Sequence, residues 1–65
     1  MIRVNGDAME HEAGLTVAGL LKRRGFTFPL LVVRIDGRLV ERAAYAVTSV
    51  DDGADVQVLH LLAGG

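Results

Sequence analysis

The residues able to do chemistry are few in this chain and poorly spaced for it. The hydroxyls are Thr16, Thr27, Tyr45, Thr48 and Ser49, and the imidazoles are His11 and His60. Hydrolysis needs a nucleophile, a base and an orienting group in mutual reach, and neither histidine stands beside a plausible nucleophile. His60, near the end of the chain, is placed to assist chemistry there, but a lone histidine is more commonly structural or solvated. Two histidines and no cysteine exclude a thiolate metal site and a disulfide framework. The run Asp51-Asp52-Gly53-Ala54-Asp55 resembles a metal loop only superficially. It lacks the downstream bidentate Glu of a calcium loop, and Asp and Gly are ordinary turn formers. No helix follows Gly64-Gly65, so they are no phosphate loop. No catalytic residue and no metal ligand is assigned. What remains is the main chain: Leu62-Ala63-Gly64-Gly65 ends in an unhindered α-carboxylate. Glycine adds nothing to a core, but a tail without side chains can thread a narrow cleft. A loose, inert chain end is the plainer alternative.

The elements that must position this tail follow from patterning. Ile2 and Val4 alternate with Met1 and Arg3, the period of a half-buried strand. Asn5-Gly6 is a type I′ hairpin signal, and Ala8 to Glu12 is the expected return strand, with Met9 and His11 on one face. Thr16 is the expected N-cap of a helix carrying Val17, Leu20 and Leu21 at helical spacing. Lys22, Arg23 and Arg24 fall in its last turn, where cations suit the helix dipole, and Gly25 suits the C′ position. Gly19 costs the helix about 1 kcal/mol against Ala, which is expected to allow another backbone to approach. Phe26 to Pro29 is read as a connection over the core edge. Leu30 to Ile35 is β-branched and apolar, an interior strand with Leu31, Val33 and Ile35 on one face and Leu30, Val32 and Arg34 on the other. Asp36-Gly37 is a second hairpin turn, Arg38 to Val40 a short return, and Tyr45 is expected to pack back on the core. The last strand spans Val56 to Leu62. Val56, Val58, His60 and Leu62 share one face; Gln57, Leu59 and Leu61 share the other.

Sixty-five residues, 51% hydrophobic and 23% charged, make one small globular domain. A net charge of -1 argues against a general nucleic-acid binder, and the short apolar runs argue against a membrane span. The N-terminus lacks a signal-peptide layout, so the expected location is cytoplasmic. One helix cannot cover both faces of a sheet. The economical fold is α+β: a mixed sheet of four to five strands with the helix across one face, residues 1–62 forming the domain and 63–65 a flexible tail. The first and last strands are expected to be neighbours. Leu59 and Leu61 are then left on an uncovered face beside the tail, either as a partner surface or as ordinary surface leucines.

The chain resembles the ubiquitin-like β-grasp sulfur carriers, most closely those of thiamine biosynthesis (ThiS-type). Ala13-Gly14-Leu15-Thr16-Val17 with Leu20-Leu21, Val33 to Asp36-Gly37 with Val40, Arg42 and Tyr45, and Asp52-Gly53 before a strand ending Leu62-Ala63-Gly64-Gly65 carry the resemblance. It spans the whole chain. Asp36 stands where Asn is common, and Glu41 replaces a frequent Pro. The resemblance implies a carrier rather than an enzyme. An adenylating enzyme uses ATP and magnesium to activate the carboxylate of Gly65, and a persulfide sulfur donor converts it to a thiocarboxylate. Thiazole synthase receives the sulfur. Gly64 and Ala63 form the tail; Leu59, Leu61, Leu62 and Arg34 are the expected partner-binding residues. The alternatives are the small subunit of molybdopterin synthase, which is usually longer, a lysine-linked modifier, and a β-grasp interaction module with an inert tail.

Overall fold

The computed structural model describes residues 1–26 and 31–60. Five strands form one mixed sheet in the order β2-β1-β5-β3-β4. The strands are β1 (Ile2–Val4), β2 (Asp7–Met9), β3 (Leu31–Ile35), β4 (Arg38–Val40) and β5 (Asp55–His60). One helix, α1 (Val17–Arg23), lies between β2 and β3 in the chain, and a 3₁₀ turn, Arg42–Ala44, follows β4.

Both hairpins form at the expected dipeptides. Asn5 and Gly6 have φ of 52° and 86°, and Asp36 and Gly37 have 49° and 82°, the doubly left-handed backbone that a type I′ turn requires. The hairpins β1–β2 and β3–β4 are antiparallel. β5 then inserts between them, parallel to β1 and antiparallel to β3. The expected adjacency of the first and last strands is therefore observed. Ile2, Val4, Val33, Val56 and Val58 all point to one face and are buried there with Val17, Leu20 and Leu21 of α1. Fully burying one such side chain stabilises the fold by about 1.5–3 kcal/mol.

A helix of seven residues is too short to stand alone, and its ends are closed with care. The Thr16 hydroxyl accepts from the Gly19 N–H at 3.2 Å. At the other end Gly25 (φ 72°) donates to the Lys22 carbonyl and Phe26 donates to the Leu21 carbonyl. That is a Schellman closure, and its accompanying apolar partners, Phe26 and Leu21, both belong to the core. Arg23 and Arg24 of the basic triplet pair with Glu12 and Asp7, which ties the helix end to the β2 side. Tyr45 packs on the core as expected, and its hydroxyl donates to the Leu31 carbonyl at 3.3 Å.

Three expectations change. β2 spans Asp7–Met9 rather than Ala8 to Glu12. Beyond Met9 the chain turns toward α1, and the His11 ring nitrogen lies 2.8 Å from the Val50 carbonyl instead of lining a strand face. β5 starts one residue earlier, at Asp55, because Asp55 already registers with Arg3. Among the described residues Gly19 faces no other backbone: the atoms a Cβ there would meet are the Thr16 hydroxyl at 3.4 Å and a Leu15 methyl at 3.7 Å. The expected connection Phe26 to Pro29 is described only at Phe26, and Leu30, Leu61, Leu62 and the 63–65 tail also lie outside the described residues.

Because those contacts are ordinary, Gly19→Ala is expected to stabilise the protein by about 0.5–1 kcal/mol through helix propensity. Thermal unfolding reads this as a rise in Tm of several degrees. A fall would mean that the Thr16 cap cannot tolerate the added methyl group.

Candidate functional site

β5 is the central strand and the one that leads toward Gly65, so its two faces decide what the protein presents. Its inward residues Val56 and Val58 are buried, while Gln57 and Leu59 point to the opposite face. None of the described elements covers that outer face. There Leu59 stands directly opposite Val32, Gln57 opposite Arg34, and Arg34 in turn opposite Leu39. Leu59 is 47% exposed and Leu39 63%. Arg34 is exposed and Val32 half-buried. The result is a strip of Leu59, Val32, Gln57, Arg34 and Leu39 on one face of three hydrogen-bonded strands. A hollow of about 370 Å³ borders it, lined by Arg3, Asn5, Gly6, Asp55, Gln57 and Leu59. A larger one of about 510 Å³ lies at the β4 edge, two strands over from β5, among Ile35, Leu39, Val40 and Ala44.

Of the expected partner-binding residues, the fold brings Leu59 and Arg34 to this face; Leu61 and Leu62 lie outside the described residues, as do Ala63, Gly64 and Gly65. Sequence reasoning missed Val32 and Leu39. Alternation already put Val32 on the same side as Arg34, but only the strand register shows that Val32 meets Leu59. Leu39 sits in a three-residue strand, too short to betray its facing by pattern. His60 shares the inward parity of Val58 yet is exposed, since it stands opposite Leu31 in the last pair of the ladder.

Several of the candidate chemical groups are engaged in the fold. The Thr16 hydroxyl caps α1, and the Thr48 hydroxyl donates to the Ala44 carbonyl at 2.7 Å. The Asp51–Gly53 turn is bound to β1: the Gly53 N–H donates to the Met1 carbonyl, and the Asp52 carboxylate accepts from the Met1 ammonium. That hydrogen bond and positive charge hold the Asp52 carboxyl below the usual carboxylate range. Among the described residues no polar side chain is buried, and no three His, Asp or Glu residues converge as a metal site would need. No helix among them is long and apolar enough to cross a membrane.

The profile of the ThiS family matches residues 2–65. A crystal structure of the thiamine biosynthesis protein ThiS from Geobacter metallireducens superposes with a TM-score of 0.81 at 30% identity, covering 98% of this chain and 97% of that one. An NMR solution structure of a thiamine biosynthesis protein from the same organism gives 0.72 at 29% identity, covering 98% and 86%. The fold is thus the ubiquitin-like β-grasp. A thiazole synthase of Magnetococcus marinus is 31% identical over 64 residues. That match takes in 98% of this chain, which spans about a fifth of that relative, 20% of its length.

The facing of β5 is directly testable. Leu59→Asp is expected to shift Tm by only a few degrees, because the new charge stays in water. Val58→Asp, one residue away, puts a carboxylate in the core and is expected to abolish cooperative unfolding. Comparable losses in both variants would mean that Leu59 is packed inside.

Proposed function

The chain belongs to the ThiS family, and from that membership we propose that it is a cytoplasmic sulfur carrier supplying the thiazole of thiamine. The observation that carries the reading is the outer face of the sheet, where Leu59 of β5, the strand that leads toward Gly65, and Arg34 of the neighbouring β3 lie exposed. A carrier needs a docking surface and a reactive end on one rigid element. β5 is that element here, held by a neighbour on each side.

The reacting group is the α-carboxylate of Gly65. A carboxylate is a poor acyl donor because its leaving group would be oxide. In the proposed sequence a carboxylate oxygen attacks the α-phosphorus of ATP on an adenylating partner, and pyrophosphate leaves. Magnesium belongs to that partner and offsets the phosphate charge. A persulfide sulfur then attacks the carbonyl carbon of the acyl-adenylate, and AMP departs. Cleavage of the resulting sulfur–sulfur bond by a thiol leaves the thiocarboxylate. Thiazole synthase is the proposed acceptor, a choice supported by the similarity of nearly this whole chain to part of a thiazole synthase. This chain contributes presentation. Leu59, Leu61 and Leu62 with Arg34 dock the partner, Ala63 leads the tail away from the domain, and Gly64 and Gly65 enter the cleft without side chains to obstruct it.

The test is the intact mass of the protein from its own host, before and after iodoacetamide. Exchange of oxygen for sulfur adds nearly the same mass as oxidation of Met1 or Met9, so alkylation is needed to tell them apart. The chain has no cysteine to react, and a single adduct mapped to Gly65 is the expected result. A chain that stays unalkylated under conditions preserving a known thiocarboxylate overturns the reading. With the adenylating partner, Gly65→Ala is expected to slow acyl-adenylate formation at least about tenfold with an unchanged Tm, since a small misplacement of reacting atoms is costly. Leu59→Asp is expected to raise the Kd for that partner about tenfold, the effect of losing a central apolar anchor.

A further inference from the structure

The first residues of the two hairpin turns do more than turn the chain: each uses its side chain on β5. Asp36 donates its backbone N–H to the Asp55 carbonyl at 2.9 Å, and its carboxylate accepts from the Asp55 N–H at 3.0 Å. Asn5 donates its backbone N–H to the Val56 carbonyl at 2.9 Å. Its carboxamide then bridges the next residue that faces β1. The Val58 N–H donates to Oδ1 at 2.8 Å, and Nδ2 donates to the Val58 carbonyl at 3.1 Å. The β1–β5 register ends at Val4 opposite Val56. The Asn5 side chain therefore imitates one further residue of β1 after the backbone has turned away.

The two contacts differ in what they ask of the turn residue. The contact at Asp55 asks for an acceptor alone, which Asp supplies. The contact at Val58 asks for an acceptor and a donor together, which a carboxamide supplies and a carboxylate cannot. An aspartate at position 5 would also set a negative oxygen against the Val58 carbonyl. Both Asn and Asp tolerate the left-handed backbone, so turn formation does not explain why one turn reads Asn-Gly and the other Asp-Gly. The β5 contacts do.

We propose that Asn5 is a positioning residue for the reactive tail. Its carboxamide anchors β5 at Val58 on the side where β1 has ended, and so fixes the line along which Leu59 and His60 lead toward Gly65. The proposal rests on the carrier reading, since positioning matters only if Gly65 must reach a reacting phosphate. β3 pairs with β5 as far as His60 opposite Leu31, so loss of Asn5 leaves the facing of Leu59 unchanged and frees only the β1-side edge of the strand at Val58. Docking and tail placement are thereby separable. Loss of the carboxamide acts on the chemical step, whereas loss of Leu59 acts on binding.

The experiment compares wild type, Asn5→Asp, Asn5→Gly and Asp36→Asn. Asn5→Gly keeps a residue that accepts positive φ, so it remains informative if Asn5→Asp folds poorly. Amide exchange by NMR is the first readout, with Val33 as an internal control for global stability. Both Asn5 variants are expected to speed Val58 exchange about tenfold relative to Val33, and Asp36→Asn to leave it unchanged. The second readout is ATP–pyrophosphate exchange by the adenylating partner. The Asn5 variants are expected to lower kcat about tenfold with KM within about twofold of wild type, the split that separates tail placement from docking. Unchanged Val58 exchange, or a wild-type kcat in both Asn5 variants, overturns the proposal. A wild-type chain that the partner does not adenylate overturns the carrier reading itself.

Discussion

A seven-residue helix covers one face of a five-stranded sheet, and the rest of the molecule answers to that limit. Such a helix is about 10 Å long and contributes Val17, Leu20 and Leu21 to the core. At this size little apolar surface is available for burial, so the helix must be held by its neighbours. The Thr16 cap and the Gly25 closure satisfy its ends. The Thr48–Val50 segment adds two backbone bonds: the Val17 N–H donates to the Thr48 carbonyl, and the Val50 N–H donates to the Leu15 carbonyl. With the apolar supply concentrated on one face, none of the described elements covers the other. The exposure of Leu59 there is a consequence of economy in the core.

The insertion of β5 between two pre-formed hairpins has a second consequence. Each hairpin is local in sequence, while β5 brings in the long-range pairing. It pairs in parallel with β1 at Arg3 and Val4 and antiparallel with β3 along its described length. The shorter side is the weaker one, and there a side chain, Asn5, continues the pairing in place of backbone. The strand that carries Leu59 is therefore also the strand held from both hairpins, which is what the proposed delivery of a fixed surface ahead of a reactive end requires.

Legibility in the sequence tracks how few conformations a residue allows. Asn5-Gly6, Asp36-Gly37 and Gly25 were readable because left-handed backbone suits few residue types, and the structure places positive φ at each. The faces of β1, β3 and β5 were readable because alternation has only two phases. Features that depend on tertiary partners were not. Nothing local marks Met9 as the end of β2, because the cause is the contact of His11 with Val50, thirty-nine residues on. Val50 and Leu15 are buried though neither lies in a helix or strand. Leu15 precedes the N-cap and Leu20 is the fourth helical residue, the positions of a hydrophobic staple, so that burial carried a signal that periodicity alone does not register. For the candidate site, Leu59 and Arg34 followed from parity, whereas Val32 and Leu39 needed the register.

The chemistry proposed for Gly65 is consistent with how little chemistry the folded domain offers. An acyl-adenylate reacts with any nearby thiol or amine, so a carrier benefits from side chains that are already committed. The chain has no cysteine. Thr16, Thr48 and Tyr45 direct their hydroxyls to backbone groups, and Arg23 and Arg24 are paired with carboxylates. Selectivity then falls to shape. On the proposed reading the partner recognises the exposed strip around Leu59 and Arg34. In that reading the hydrogen bonds at Val58 hold the β1-side edge of the strand that runs on toward Gly65, at the point where β1 itself has ended.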